Sequence, residues 1–206
     1  MSETKSAAKE LREKLFMPRK NGFCRLSDEE AEACYSFCED YKEFMSTAKI
    51  EREVVNYTLE LIKKNGYVEY KRGMKLNPGD KIYVNNRGKA VIMAVIGTAP
   101  IEDGVRLCAA HIDSPRLDMK QNPVYEDTDM AYFKTHYYGG IKKYQWTTIP
   151  LSLHGVIVKA DGTSVPVCVG EDDNDPVFCV SDLLPHLANA QMSKPLAKGI
   201  TGEQLN

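Results

Sequence analysis

The sequence lacks the features that mark membrane-spanning, secreted and nucleic-acid-binding proteins. No apolar run approaches the ~20 residues that a membrane-spanning helix needs. The opening residues MSETKSAAKELREKL carry charges where a secretory signal has an apolar core. Neither sign of charge dominates, because 27 Lys and Arg residues stand against 29 Asp and Glu residues. No general attraction to nucleic acid or to an anionic membrane is therefore expected.

Paired cysteine motifs are also missing. The six cysteines are scattered without a CxxC pair, and in a chain without a recognisable signal they are expected to be reduced thiols. These observations predict a cytoplasmic protein. A length of 206 residues with 43% hydrophobic residues suits one large domain or two small ones.

Two helices are predicted before any strand. Ser27 followed by Glu30 is a capping box, and an apolar stripe then recurs at helical spacing at Ala33, Phe37, Tyr41 and Phe44. A second amphipathic helix is predicted within residues 49–67, with Ile50, Val54, Tyr57 and Leu61 on one face. The pair Asn65-Gly66 supplies its stop signal. The polar residues 1–26 are expected to form a loosely packed arm or one short helix.

The period then changes from helical to alternating. Residues 67–71 and 81–97 indicate strands, and NNRG at residues 85–88 has the composition of a tight hairpin turn. The nearly continuous apolar runs 91–96 and 105–110 predict central strands covered on both faces. The fold class is therefore predicted to be α/β with a mixed sheet.

Beyond residue 120 the sequence changes character again. Short apolar segments are joined by turn residues, of which ADGT at 160–163 is a hairpin signal, and no convincing helix precedes Ser181. We place a domain boundary near residue 121 and predict that residues 121–206 form a small β-rich unit. The segment EDDNDP at 171–176 lacks the glycine and distal glutamate of an EF-hand, which favours a solvated acidic turn.

The candidate site is the pair His111 and Asp113 in the segment AAHIDSPRLDMK. Residues i and i+2 of an extended chain lie on the same face, so the two side chains can lie side by side. A carboxylate that accepts a hydrogen bond from one ring nitrogen of a histidine commonly orients the other nitrogen toward a metal. Two interpretations stay open on this pattern alone: a metal ligand with its orienting carboxylate, or an ordinary histidine at a strand end.

Other residues with potential chemistry are assigned structural roles. His136, His154 and His186 lack the spacing of clustered ligands and are expected to be polar residues of the β unit. Cys108 lies within an apolar run and is expected to be buried. The aromatic residues between 132 and 146 suit either a small core or a partner surface, and both interpretations stay open.

Several segments together resemble one known family. In order, KIEREVV, GDKIYVNNRGKAVIMAVIG, AAHIDSPRLDMK, YYGGIKKYQW, LHGVIVKADG and LLPHL are similar to segments of the M18 metallopeptidases, the aspartyl aminopeptidase family, and especially of its clostridial-type bacterial members. The resemblance runs from about residue 20 through nearly the whole chain. These motifs in combination are far more specific than His-x-Asp alone.

The resemblance implies a two-zinc aminopeptidase that removes N-terminal residues from peptides, in the family preferentially acidic ones. It implies that residues 1–120 are the N-terminal part of an α/β catalytic domain and that residues 121–206 belong to an inserted β-rich domain through which copies form a homo-oligomer. His111 is then a zinc ligand, and Asp113 is the carboxylate that orients it. The family's other ligands lie downstream of the inserted domain, so the chain is expected to be truncated and inactive alone.

Two departures from the family bear on specificity. Many members carry a Trp-Phe-Asp-Arg-Asp-Leu run where this chain has YQWTTIPL, and many carry a second histidine where this chain has Ala190. The resemblance implies that this second histidine reaches the partner subunit's active site, so its replacement leaves the preference for acidic residues open. The alternative function is a non-catalytic β-rich interaction module.

Zinc binding provides a first test. A hydrolytic zinc site needs about three or four protein ligands, whereas His111 and Asp113 supply at most two. We expect equilibrium dialysis of the 206-residue chain to detect no tight zinc binding, because affinity depends on a complete ligand shell. Stoichiometric submicromolar binding that survives His111→Ala would contradict this prediction, since it would reveal a site among the other histidines and cysteines.

Overall fold

The computed structural model describes residues 6–17 and 19–206. The chain divides between Thr47 and Ala48 into two compact units. The helices are α1 (Ala7–Leu15), α2 (Asp28–Thr47), α3 (Glu51–Lys64), α4 (Asn189–Met192) and α5 (Leu196–Gly199). The strands are β1 (Val68–Glu69), β2 (Lys81–Asn86), β3 (Ala90–Val95), β4 (Arg116–Asp127), β5 (Met130–Tyr138), β6 (Leu153–Val158) and β7 (Ser164–Val169).

The first unit contains α1 and α2. The predicted capping box is confirmed, because the backbone N–H of Ser27 donates to the Glu30 carboxylate (2.8 Å) and the backbone N–H of Glu30 donates to the Ser27 hydroxyl (3.2 Å). The arm predicted at the start of the chain contains one short helix, α1, and residues 1–5 and 18 of that arm lie outside the described residues. No helix in the described part of the chain is long and apolar enough to cross a membrane.

The second unit begins with α3, which ends as predicted at Asn65-Gly66. Gly66 has a φ of +81°, the left-handed conformation that glycine adopts without strain. The Tyr67 N–H then reaches back to the Ile62 carbonyl, which completes a Schellman motif. The buried face is centred on Val55 and Ile62 rather than on the predicted stripe, since Leu61 is 52% exposed. The apolar residue types alone did not indicate which side of α3 is buried against the rest of the unit.

The first sheet is mixed, as predicted. Its order is β1-β2-β3, with β1 parallel to β2 and β2 antiparallel to β3. The predicted hairpin is confirmed, and its turn passes through Arg87 and Gly88, both with positive φ. Strand β3 lies at the edge of the sheet, so the predicted cover on both faces is wrong for this strand: Ile92 is 65% exposed.

The apolar run 105–110 is not a strand, which corrects the sequence prediction. Residues 104–115 are irregular, and Leu107 is 83% exposed. A strand forms only where its backbone N–H and C=O groups find partners, and no described strand pairs with this run. The prediction that Cys108 is buried is wrong for the same reason, because its thiol is exposed.

Two antiparallel hairpins, β4-β5 and β6-β7, make up most of the remaining chain. Strand β4 runs across residue 121, and its pairing with β5 is regular from Arg116 to Met119. The register then shifts, so that residues 120–123 lie opposite Lys134 alone. The ADGT turn joins β6 and β7 as predicted, with the Lys159 N–H donating to the Thr163 carbonyl.

A small hydrophobic core packs against the β4-β5 hairpin. Its buried members are Val180, Ile200 and Leu205. The half-buried residues around them are Leu117, Tyr137, Ile141, Tyr144, Trp146 and Leu151. Because side chains alternate along a strand, Leu117 and Tyr137 turn toward this core while Arg116 and Tyr138, the next residues along, turn to the opposite face.

A mostly buried histidine connects α3 to the β6-β7 hairpin. The His154 Nδ1 atom lies 2.8 Å from Glu53 Oε1, and its Nε2 atom lies 3.0 Å from Glu171 Oε1. The second oxygen of Glu53 accepts from the backbone N–H groups of Lys49 and Ile50 at the start of α3. Since carboxylates only accept, the doubly protonated imidazolium satisfies both contacts.

The ionisation of this network follows from its geometry. Burial lowers the pKa of His154, but the hydrogen bonds to Glu53 and Glu171 outweigh that effect and raise it above 6.5. Hydrogen bonds from Ser152, from His154 and from Lys49 lower the pKa of Glu171 to about 2. Glu171 therefore stays ionised well below the ordinary pKa of glutamate, and His154 is protonated up to pH values above 6.5, so the two side chains carry opposite charges at mildly acidic pH.

Truncation of the core should destabilise the second unit. Leu205→Ala removes a fully buried side chain, and such substitutions cost about 2–5 kcal/mol. Urea denaturation followed by the fluorescence of Trp146, which contacts this core, measures the change. Leu107→Ala, at a position that is 83% exposed, is the control and should leave the midpoint within experimental error. Equal losses in the two variants would contradict the assignment of the core.

The His154 network should make stability depend on pH. The folded pKa of His154 is raised, so its stabilisation is complete below pH 6.5 and is lost as the pH rises through the folded value. His154→Gln should lower the free energy of unfolding at pH 6 by about 1.5–3 kcal/mol, the range for hydrogen bonds to charged groups. It should also flatten the decline that the unchanged chain shows above pH 6.5.

The exposed His136 provides the matched control for that titration. His136→Gln should retain the pH dependence of the unchanged chain in the same urea experiment. If the free energy of unfolding of the chain without substitutions is constant from pH 6 to pH 9, the ionisation of His154 makes no net contribution to the pH dependence of stability.

Candidate functional site

His111 and Asp113 are in direct contact, as their spacing predicts, although the segment that holds them is irregular. The Nδ1 atom of His111 lies 3.1 Å from Asp113 Oδ1 and 2.9 Å from the backbone oxygen of Asp113. The histidine side chain is 83% exposed. The pair thus forms a local hydrogen-bonded unit at the surface.

These contacts determine the tautomer of His111. Both partners of Nδ1 are oxygens that only accept, so Nδ1 carries the proton. The neutral ring then has its lone pair on Nε2, in the form that coordinates a metal. Because the ring is exposed, Nε2 is accessible to an incoming ligand.

Asp113 has a second partner, which the sequence analysis did not identify. The hydroxyl of Tyr138 donates to Asp113 Oδ2 at 2.5 Å. This hydrogen bond, with smaller contributions from the Asp113 backbone N–H and from His111, lowers the pKa of Asp113. The same bond is the main cause that raises the pKa of Tyr138. At neutral pH the carboxylate therefore accepts and the phenol donates.

The chemistry of the donor set fits one ligand of a zinc site. His111 offers an imidazole Nε2 with its tautomer fixed by a carboxylate, which is the arrangement common in zinc enzymes. Residues 6–17 and 19–206 hold no group of three or more His, Cys, Asp or Glu side chains that could bind a metal. Among the described residues, His111 is thus a single candidate ligand with a supporting carboxylate.

The other histidines do not join His111. His154 is engaged by Glu53 and Glu171, and His136 stacks on Tyr137 with ring centroids 5.4 Å apart. The acidic segment 171–176 is a turn, as predicted. In this turn the Asp175 carboxylate accepts from the Gly170 N–H and the Asp172 carboxylate accepts from the Asn174 N–H.

Tyr138 could not be identified from local sequence. It lies 25 positions from Asp113 along the chain, and only the register of the β4-β5 hairpin brings them together. The sequence offered only an indirect signal. Tyr138 directly precedes Gly139-Gly140 at the end of β5, and β5 pairs with β4, the strand that follows the His-x-Asp segment. His154 was likewise assigned a polar role without its two carboxylate partners.

Comparison with known proteins connects this geometry to a family. Residues 44–204 match the family model described as aminopeptidase I zinc metalloprotease (M18). A probable M18 family aminopeptidase 1 from Clostridium acetobutylicum is 53% identical over 191 residues, which are 91% of this chain and 41% of that protein. A protein of the same description from Borrelia garinii is 45% identical over 190 residues, 92% of this chain and 42% of that protein.

Solved structures agree with the sequence comparison. The crystal structure of aminopeptidase I from C. acetobutylicum has a TM-score of 0.80 and 48% identity, covering 92% of this chain and 42% of that one. An M18 aminopeptidase from Thermotoga maritima gives 0.81 and 43%, covering 92% and 41%. The chain thus spans about two fifths of the length of the relatives it matches. On the extent of the family match and the identity to these relatives, the chain belongs to the M18 family of metallopeptidases.

Proposed function

We propose that this chain is the N-terminal part of a zinc-dependent aminopeptidase that removes N-terminal residues from peptides. The observation that carries the proposal is the contact between His111 and Asp113, in which Nδ1 is protonated and Nε2 is exposed. Membership of a family described as zinc metalloproteases supports the same function.

In this proposal His111 binds one zinc ion through Nε2, and Asp113 holds the ring in the required tautomer. Zinc, when bound, supplies Lewis acidity toward the scissile carbonyl and lowers the pKa of a bound water molecule. In the proposal the complete site holds two zinc ions. Their remaining ligands lie in the part of the longer relatives to which this chain does not align. Alone, the 206 residues are inactive.

We assign residues 1–120 to the catalytic α/β domain and residues 121–206 to an incomplete β-rich dimerisation domain. Exposed apolar side chains support the first assignment, because Ile92, Val95, Val105 and Leu107 are all exposed in and after the edge strand β3. Large apolar surfaces are normally covered by further chain or by a partner. Such cover would come from additional strands of the catalytic sheet.

Homo-oligomerisation through residues 121–206 is part of the same proposal. Leu183, Leu184, Leu187 and Leu196 are exposed in this region, and exposed apolar side chains are the kind of residue that an interface between two copies buries. The cytoplasm is the proposed location because all six cysteines are free thiols in the structure. Peptides with a free N-terminal amine are the proposed substrates.

Activity of the complete reading frame tests the proposal. The gene should be sequenced past codon 206, expressed in full and assayed for the release of N-terminal residues from peptides. We expect activity that a chelator removes and that zinc restores, and no activity on N-acetylated peptides. His111→Ala should abolish release, and Asp113→Asn should reduce it by about 10–100-fold, as the loss of a carboxylate that supports a metal ligand does.

His136→Gln, at an exposed histidine outside the site, is the control and should retain activity. A stop codon directly after codon 206 with no downstream frame would favour the non-catalytic interaction module instead. So would a complete protein that releases no residue from any free peptide. A defect shared equally by His136→Gln and His111→Ala would contradict the specific role given to His111.

A further inference from the structure

His111 and Asp113 need support from outside their own segment. They lie in the irregular stretch 104–115, where no strand pairing fixes the backbone. Metal ligands work only when they are held close to the productive geometry, and rigid elements hold them better than loops do. The nearest rigid element is the end of the β4-β5 hairpin, which begins at Arg116.

Tyr138 is the last residue of β5 and is paired in register with Arg116, the first residue of β4. Strand alternation turns Tyr137 into the hydrophobic core and Tyr138 to the other side. The core therefore anchors the strand that carries Tyr138. From this position the Tyr138 hydroxyl reaches Asp113 Oδ2.

Arg116 fixes the orientation of the tyrosine ring. Its guanidinium carbon lies 4.2 Å from the centroid of the Tyr138 ring, within cation–π range. The guanidinium is itself held by a 2.7 Å ion pair between Nε and Asp118, and its Nη1 donates to the Ser114 carbonyl at 3.2 Å. Tyr138 is thus stacked against Arg116, whose guanidinium also donates to Ser114, the residue after Asp113.

Gly139 brings the two segments together. Its φ is +82°, and a Cβ atom built on it would lie 3.4 Å from the Cα atom of Pro115. The positive φ is what requires glycine here, because residues with a side chain rarely adopt it without strain. The backbone after Tyr138 therefore packs directly on the backbone two residues after Asp113.

From these contacts we propose that Tyr138 is a positioning residue for the metal-binding histidine, acting through Asp113. The Tyr138 hydroxyl holds Oδ2, which directs Oδ1 at His111 Nδ1 and keeps Nε2 free and correctly aimed. Arg116 and Gly139 set the position of Tyr138. This inference rests on the proposed function only in calling His111 a metal ligand; the hydrogen-bond relay itself can be tested without metal.

The test measures the His111 tautomer by NMR in the 206-residue chain. Long-range correlation spectra of ¹⁵N-labelled protein, recorded at a pH where the ring is neutral, distinguish Nδ1–H from Nε2–H rings. We expect the unchanged chain to populate mainly Nδ1–H. Tyr138→Phe removes only the hydroxyl and should raise the Nε2–H fraction severalfold. The change stays partial because the Asp113 backbone oxygen still accepts from Nδ1.

Two further variants set the scale of the effect. Asp113→Asn replaces the carboxylate and should shift the tautomer at least as far as Tyr138→Phe does. Tyr137→Phe removes the hydroxyl of the adjacent tyrosine on the opposite face and should leave the spectrum of His111 unchanged. An unaltered urea midpoint, read from Trp146 fluorescence, establishes that each variant is folded.

The inference is overturned if folded Tyr138→Phe gives the tautomer distribution of the unchanged chain, or if Tyr137→Phe shifts it equally. In the complete reading frame, Tyr138→Phe should weaken zinc affinity by about tenfold, the lower end of the effect of outer-shell partners. If Tyr138→Phe shifts the tautomer but the complete protein releases no residue from peptides, the proposed function is contradicted and the role of Tyr138 is supported. If the complete protein is active but Tyr138→Phe does not shift the tautomer, the proposed function is supported and the role of Tyr138 is contradicted.

Discussion

The candidate site depends on one cross-strand pair, Arg116 opposite Tyr138. The pair lies where two antiparallel strands meet, and it places a guanidinium on one face of an aromatic ring while the ring's hydroxyl reaches the carboxylate of Asp113. A shift of β5 by one residue against β4 would exchange the two faces of β5. Tyr138 would then point into the core and Tyr137 toward Asp113.

The hydrophobic core fixes that register. Leu117 and Tyr137, the residues directly after and before the pair, both pack against Val180, Ile200 and Leu205. Burial of these side chains favours one pairing over its neighbours by the free energy of removing apolar surface from water. The arrangement of polar groups on one face of the hairpin is therefore specified by apolar contacts on the other.

Local signals in the sequence predicted local structure well. The capping box at Ser27, the stop at Gly66 and the turns of two hairpins each involve residues within a few positions of one another. The contact between His111 and Asp113 is of the same kind, since the two residues are only two positions apart. Apolar run 105–110 failed as a strand because a strand needs a partner, and composition does not say whether one is present. The contacts of Tyr138 and of His154 were not predicted, because the residues that they bind are distant in the sequence.

The irregular stretch of β4 has a further effect on how this hairpin meets other chains. Residues 120–123 bulge out of register opposite Lys134, and Pro123 among them has no N–H to donate. An incoming strand needs an unbroken row of backbone groups along the edge it joins. Interrupted in this way, the outer edge of β4 is a poor template for strand addition. The hairpin that carries Tyr138 is thereby protected against edge-to-edge aggregation, even though Val124 beside the bulge is exposed.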